Sequence, residues 1–405
     1  MDRRDFLAGA GLLAVAPTAS SAARGVDWGA VRREFRLDPA LTNLGLFYLA
    51  SNPREVRDAV DEFRRRLDSN SHDLMPEEAR EVAVALGQYV GGAADDIAFV
   101  PNTTIGLSIV YGGLKLRAGQ ELLLNDQDHA WHQQAARLAA GRVGANVRVG
   151  TLFENPAKAT EDEIATRLRN SITPRTRAVG ITWVQSSTGV RMPVRACASV
   201  VAEANRGRAR EDRCLLVVDG VHGLAAVDDD AARMGADVFV AGTHKWLFGP
   251  RGTGMVWVNP EVSDQIVPLL PSLSDRSPTA LLGPGGFHAF EQYYAVRAAV
   301  RFHQRRDPRS RRPHAARRLG LRGHGVLRRS RPHRPRAGGT VAAEKHPDHH
   351  GVVPHPVRAG RHVDPQHPGG DRPDCAGDQR AGSLIRGSSA VPGGSSRTLV
   401  FSICT

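Results

Sequence analysis

The chain has 405 residues, 41% of them hydrophobic, and a formal net charge of +12. That length allows one large domain or two, and the apolar content is enough to bury a sizeable core, which excludes a chain disordered throughout. The charge is not spread evenly. Residues 304–405 hold 19 Arg and one Lys against seven acidic residues, so the rest of the chain is close to neutral and has no basic excess to offer a nucleic acid.

The first residues are Asp2-Arg3-Arg4-Asp5-Phe6-Leu7, followed by a short apolar stretch to Ala16 and small residues to Ala23. The arginine pair resembles a twin-arginine export motif. The apolar stretch is too short to span a membrane. Residues 1–23 therefore read as a signal peptide cleaved near Ser21-Ala22-Ala23, and the expected location is periplasmic or exported, with no stable membrane anchor. An N-terminal arm and helices follow over 24–92. Leu41–Gly45 is expected to lead from a strand into a loop. Arg54–Asp68, after Asn52-Pro53, is expected as an amphipathic helix, and Glu77–Val90 as another with Ala79, Ala83, Leu86 and Val90 on one face.

Strands and helices then alternate. Strands are expected at Ile97–Val100, Glu121–Leu124, Asn146–Val149, Arg177–Val184, Leu215–Asp219, Asp237–Ala241 and Gly254–Val258. Helices are expected between them at Thr104–Leu114, Trp131–Gly141, Glu161–Ser171 and Val194–Ala204. Near-continuous apolar runs mark strands buried on both faces. The expected fold is α/β over residues 93–270, a mostly parallel sheet flanked by helices, with ligands at the carboxyl ends of the strands.

Two of those strand ends carry polar groups. Leu215-Leu216-Val217-Val218-Asp219 ends in an acid, and Gly242-Thr243-His244-Lys245-Trp246 places a lysine just after an apolar strand. A lysine able to form a Schiff base and an acid able to pair with a pyridinium nitrogen are what pyridoxal 5'-phosphate chemistry requires. Alone, each is ordinary: a cap or turn residue, or a solvated charge. A third feature, Pro101-Asn102-Thr103-Thr104-Ile105-Gly106, opens a helix after a strand. Its hydroxyls and N–H groups suit a phosphate, although a plain Thr N-cap has the same look.

Together with Asp128-His129, Trp183-Val184-Gln185-Ser186-Ser187-Thr188-Gly189, Asp219-Gly220-Val221-His222 and Gly249-Pro250, these motifs resemble the class V aminotransferase family of fold-type-I pyridoxal-phosphate enzymes. The resemblance runs from about residue 40 to 300. The family includes isopenicillin-N epimerase-like proteins and cysteine desulfurases. The resemblance implies a Schiff base on Lys245, which also shuttles the Cα proton, and Asp219 on the pyridinium N–H. It implies a phosphate held by Thr103, Thr104, Thr243 and His244, and His222 on the side of the 3-oxygen. Ser186 stands where many relatives have Asn for a similar contact. His129 takes the place that stacks on the ring, with Trp131 as its rival. Arg251 follows Gly249-Pro250 where some relatives place a Thr for the partner subunit's phosphate. A small-molecule amino-acid substrate, a homodimer and no nucleic-acid partner are implied too.

Residues 271–303 read as the start of a linker or small domain. From Gln304 onward there is neither helical nor strand periodicity, with dense Pro and Gly and nine of the 16 His, so 304–405 reads as a disordered basic tail. A frameshift near Phe302–Arg306 in a GC-rich gene accounts for that composition; the small domain, with its substrate-carboxylate Arg, is then missing. The alternative is an Arg-rich nucleic-acid-binding tail. The four cysteines show no metal spacing. Cys197 and Cys214 lie in or beside apolar runs and read as core residues; Cys375 lacks the context of a desulfurase nucleophile. The expected function is amino-acid chemistry of the aminotransferase or epimerase type. Alternatives are a catalytically impaired remnant of the fold and a desulfurase or lyase.

Overall fold

The computed structural model describes residues 27–42, 44–45, 47–272 and 276–306. The proposed signal peptide (1–23) and everything after 306 lie outside the described residues. Among the described residues no helix is long and apolar enough to cross a membrane, and no cluster of three or more His, Cys, Asp or Glu could hold a metal ion.

The N-terminal arm holds α1 (Trp28–Arg33), α2 (Arg54–Ser69) and α3 (Pro76–Tyr89). Helix α1 had no counterpart in the sequence reading, and the described residues of Leu41–Gly45 form no strand. In α3 the buried face is Val82, Ala83, Leu86 and Gly87, so the expected stripe holds in its second half. The alternating region then runs β1 (Ile97–Val100), α4 (Thr103–Gly113), β2 (Glu121–Asn125), α5 (Ala130–Val143), β3 (Asn146–Gly150), α6 (Glu161–Ser171), β4 (Thr176–Thr182) and α7 (Val194–Ala204). It continues with β5 (Leu215–Asp219), α8 (Ala231–Met234), β6 (Val238–Gly242) and β7 (Gly254–Val258). Helices α9 (Phe290–Tyr294) and α10 (Val296–Arg306) follow. Helix α10 carries residues 304–306, so the boundary set at Gln304 falls inside a helix.

The strands form one sheet in the order β1-β7-β6-β5-β4-β2-β3. Strands β3, β2, β4, β5 and β6 are mutually parallel, and β7 runs antiparallel to both β6 and β1. The mostly parallel α/β sheet is thus present. The pleat explains the apolar runs, since successive side chains leave opposite faces. Leu216 and Val218 of β5 join one core with α3, α6 and α7, whereas Leu215 and Val217 join another with α4 and α5. Both faces being covered, all five residues of β5 and all five of β6 are buried. Polar chemistry is left to the strand ends.

Candidate functional site

Asp219 is the last residue of β5 and is 3% exposed. The chain turns immediately after it, over two aromatic rings: a Cβ at Gly220 would stand 2.0 Å from Phe239 and one at Gly223 would stand 1.9 Å from Trp183. Only glycine allows that approach, and the turn aims His222 back over the strand ends. Strand β6 ends beside β5, and Lys245 follows it by three residues. Its Nζ lies 3.2 Å from His222 Nε2. The Trp246 indole N–H donates to His222 Nδ1 at 3.2 Å. With Nδ1 accepting, a neutral His222 carries its proton on Nε2, facing the lysine amine. Burial first, and then the charges of Lys245 and His129, push His222 down to about 4, so the neutral form prevails at physiological pH.

The lysine loop is clamped from the arm. Phe248 holds a left-handed backbone, φ 60°, a strain of about 1–3 kcal/mol for a non-glycine residue. Asn52 Nδ2 donates to Phe248 O at 3.1 Å and to Gly249 O at 2.7 Å. The Phe248 ring meets Phe35 edge-on at 5.2 Å and Phe302 at 6.3 Å. These contacts offset the strain and tie Lys245 to both the arm and α10.

The side assigned to the phosphate centres on the start of α4. Helix α4 is capped by Asn102, whose Oδ1 accepts from Ile105 N at 2.9 Å, so the cap is the asparagine rather than a threonine. That frees Thr103 Oγ1, which accepts from Gly242 N at 2.8 Å and joins the helix start to the end of β6. Thr104 lies in the same first turn, half-buried. His244 Nδ1 donates to Thr253 O at 3.2 Å, leaving Nε2 for a ligand; burial lowers its pKa.

Thr243, implied by the resemblance as a phosphate contact, faces the interior. Its side chain is fully buried and its hydroxyl pairs with Thr253 Oγ1 at 2.5 Å. The β6–β7 connection needs that bond inside the fold, and a hydroxyl spent there does not face a phosphate. Thr243→Val is expected to cost about 1 kcal/mol of stability and to leave cofactor affinity unchanged. Denaturant melts and a cofactor titration check this, and a large loss of affinity at wild-type stability would return Thr243 to the site.

His129 is the N-cap of α5, its Nδ1 accepting from Trp131 N at 3.2 Å. Burial lowers its pKa most, and Asp219, Lys245 and His132 act on it electrostatically, so it belongs with them. Trp131 is 61% exposed and meets the His129 ring edge-on at 5.2 Å, at the mouth rather than inside. Ser186 is exposed on the turn after β4; its neighbour Gln185 is the buried one, with Nε2 3.3 Å from Thr182 O and 3.4 Å from Asp128 Oδ1. Arg251 is exposed on the β6–β7 loop. The sequence reading missed His132, whose Nδ1 stands 4.0 Å from Asp219 Oδ2. It also missed Phe47, whose ring lies 6.1 Å from that of His222. A lone histidine on a buried helix face carries no signal that separates it from core.

The family model for aminotransferase class-V matches residues 50–276. The chain belongs to the class-V aminotransferase family. Isopenicillin N epimerase of Streptomyces clavuligerus is 29% identical over 249 residues, 60% of this chain and 59% of that protein. The isopenicillin N epimerase of Amycolatopsis lactamdurans is 32% identical, covering 56% of each. A probable cysteine desulfurase of Aeropyrum pernix is 32% identical over 264 residues, 59% of this chain and 58% of that one. The chain thus spans less than three fifths of the length of the curated relatives it matches. In fold it is similar to C-DES with glycine covalently linked to its PLP cofactor, at TM-score 0.62 and 21% identity over 69% of this chain and 76% of that one. It is likewise similar to the cysteine desulfurase CsdA of Escherichia coli, at TM-score 0.60 and 17% identity over 71% and 74%.

The cofactor of these enzymes is pyridoxal phosphate, and the residues here fit it. A pyridinium N–H needs a buried anion with an open acceptor. Asp219 Oδ1 accepts from Val221 N at 3.1 Å, while Oδ2 stands 4.0 Å from His132 Nδ1, beyond hydrogen-bond reach. Burial pushes the Asp219 carboxyl above its ordinary range, with Asp128 adding to this and His132, the Val221 N–H and Lys245 opposing it; a cationic partner would relieve that cost. A phosphate needs N–H donors in a cleared space. A Cβ at Gly242 would come within 2.8 Å of His244 Cε1 and 3.3 Å of Thr103 Oγ1, so these two side chains close around a position kept empty.

Proposed function

We propose that the chain is a pyridoxal-phosphate enzyme acting at the Cα of an amino acid, of the aminotransferase or epimerase type. The observation that carries this is the convergence of Lys245, His222 and the buried Asp219 at adjacent strand ends, with Lys245 Nζ 3.2 Å from His222 Nε2. The cofactor would supply the electron sink that makes a Cα–H bond acidic. The chain's own groups would do the rest. Lys245 would bind the cofactor aldehyde covalently and, once released, hold and move the Cα proton. Asp219 Oδ2 would accept the ring N–H. His222 Nε2–H would donate to the 3-oxygen. Thr103, Thr104, the open N–H groups of the first turn of α4 and His244 would hold the phosphate. His129 would cover the ring face.

Sulfur chemistry is less well supported. A desulfurase needs a thiolate; among the described residues the cysteines are Cys197 and Cys214, both buried, with burial pushing each thiol up to about 12, while Cys375 and Cys404 lie outside those residues. A second reading is a catalytically impaired remnant of the fold. Loading the chain with pyridoxal phosphate and offering amino acids in deuterated water separates these. Deuterium at Cα with inversion supports epimerisation, and a released keto acid supports transamination. No Cα exchange from a chain that binds the cofactor leaves the remnant.

Two further proposals concern the whole protein. Arg3 and Arg4 direct export, so replacing both by Lys should hold the chain in the cytoplasm; unchanged delivery to the periplasm would refute this. The protein is a homodimer, supported by Phe47, Tyr48, Leu49 and Trp131, which stand 41–61% exposed around the site. Sedimentation at the mass of a single chain would count against it.

A further inference from the structure

Asp219 is approached from the core side by His132, on the first turn of α5 and 1% exposed. The second nitrogen of that ring, Nε2, lies 2.8 Å from the Tyr111 hydroxyl on α4, and the two rings stack at 5.7 Å and 29°. Tyr111 is also 1% exposed. Burial, with Asp128 and Asp219 nearby, holds its phenol well above the ordinary range, so the O–H keeps its proton, and since a buried hydroxyl proton needs an acceptor and His132 Nε2 is the one at hydrogen-bond distance, we assign the O–H as the donor to Nε2. The neutral imidazole then carries its own proton on Nδ1, facing Thr182 Oγ1 at 3.5 Å and Asp219 Oδ2 at 4.0 Å. Strand β4 is shaped around this pair: a Cβ at Gly180 would stand 2.2 Å from the Tyr111 hydroxyl and 2.9 Å from His132 Nε2.

We propose that His132, oriented by Tyr111, is a positioning residue for Asp219, its Nδ1–H addressing the carboxylate from inside the fold and presenting the other side of it to the cofactor's ring nitrogen. The inference rests on the functional reading above and adds to it a residue pair outside the ligand's own contacts. The titratable groups facing His132 are few. Tyr111 comes from α4, Asp219 from β5, and Asp128 and His129 from the start of α5. Asp128 is already occupied, its Oδ2 accepting from Asn125 N at 2.9 Å and its Oδ1 from Thr182 N at 2.8 Å. That leaves His132 to balance the unfilled side of Asp219. An N–H directed at a buried carboxylate favours its charged form, and such outer partners govern how well an inner group binds.

The test has two arms on the full chain. In the cofactor-free protein, the Asp219 carboxyl is titrated by its carbon-13 resonance, assigned by its absence in Asp219→Asn. In the loaded protein, the nitrogen-15 resonance of labelled cofactor reports protonation of the ring. His132→Leu should move the Asp219 titration to higher pH by about one unit and shift the ring nitrogen toward its unprotonated signal. Tyr111→Phe keeps the ring volume and stacking, so it should fold, and it should shift both signals in the same direction by less. His132→Asn, which retains an N–H, should recover part of the shift. Wild-type titration of Asp219 in both His132→Leu and Tyr111→Phe overturns the proposal. Failure of the wild-type chain to bind the cofactor overturns the functional reading instead, and the carbon-13 arm still decides whether His132 governs Asp219.

Discussion

Lys245→Ala is expected to fold, to retain no borohydride-trappable bond to pyridoxal phosphate, and to lose turnover by about 10⁴-fold or more. Such a loss is roughly 5 kcal/mol of barrier. Two roles disappear at once: the amine that bonds to the aldehyde, and the base that holds the Cα proton. His222 Nε2 lies 3.2 Å from the missing nitrogen, but its lowered basicity, about 4, makes it a poor substitute base. The variant carries an internal check. The Lys245 charge is one of the causes depressing His222 and His129, so both imidazoles should titrate at higher pH in the alanine variant. Proton resonances of the two rings would show this. A reducible bond to some other lysine, or retained turnover, would remove Lys245 from the centre of the site.

Asp219→Asn is expected to lower turnover by about 10³-fold, roughly 4 kcal/mol, while raising the stability of the cofactor-free chain. The carboxylate is 3% exposed and one oxygen stands beyond hydrogen-bond reach of His132, so in the free protein it is a charge without an adequate partner, and removing it is stabilising by about 1–2 kcal/mol. The pH dependence follows from the direction of its shift. Burial raises the folded-state pKa above 3.8, so the folded chain holds the proton where the unfolded chain has lost it. That stability is fully present below the unfolded value and drains away as pH rises through the folded one. The advantage of the asparagine variant should therefore grow over that window and level off above it, as melting temperatures across the pH range would reveal. A cofactor-free Asp219→Asn chain less stable than wild type at neutral pH would mean that the carboxylate is adequately paired in the free protein, and near-normal turnover would mean that another group partners the ring nitrogen.

Much of the fold was legible because burial writes itself locally. Val217 and Val218 face different cores yet both must be apolar, so a strand covered on both faces appears as an unbroken run, and the expected strands of the sheet, unlike the one expected at Leu41–Gly45, fall within a residue or two of the observed ones. Short elements escaped: α1 has no buried residue and so no periodic stripe to find. Lys245 and Asp219 stood out in the sequence because each follows an apolar strand end, whereas the place of His222 came only from the family resemblance.

The sequence by itself therefore determined the α/β alternation, the family, and the pairing of a lysine with an acid at adjacent strand ends. Only the tertiary structure decided how the remaining groups are used. Thr243 is turned inward to Thr253, Asn102 rather than a threonine caps α4, Gln185 rather than Ser186 is buried, and Tyr111 stands behind His132 and Asp219. Apart from the Asn102 cap, which is local, the arrangement depends on contacts between distant segments: Thr103 meets Gly242 across 139 positions of chain, and Asn52 holds Phe248 across 196. A hydroxyl or imidazole has the same look in sequence whether it faces a ligand or a neighbour within the fold. The packing of distant segments supplies its partner, and the partner determines what it can do.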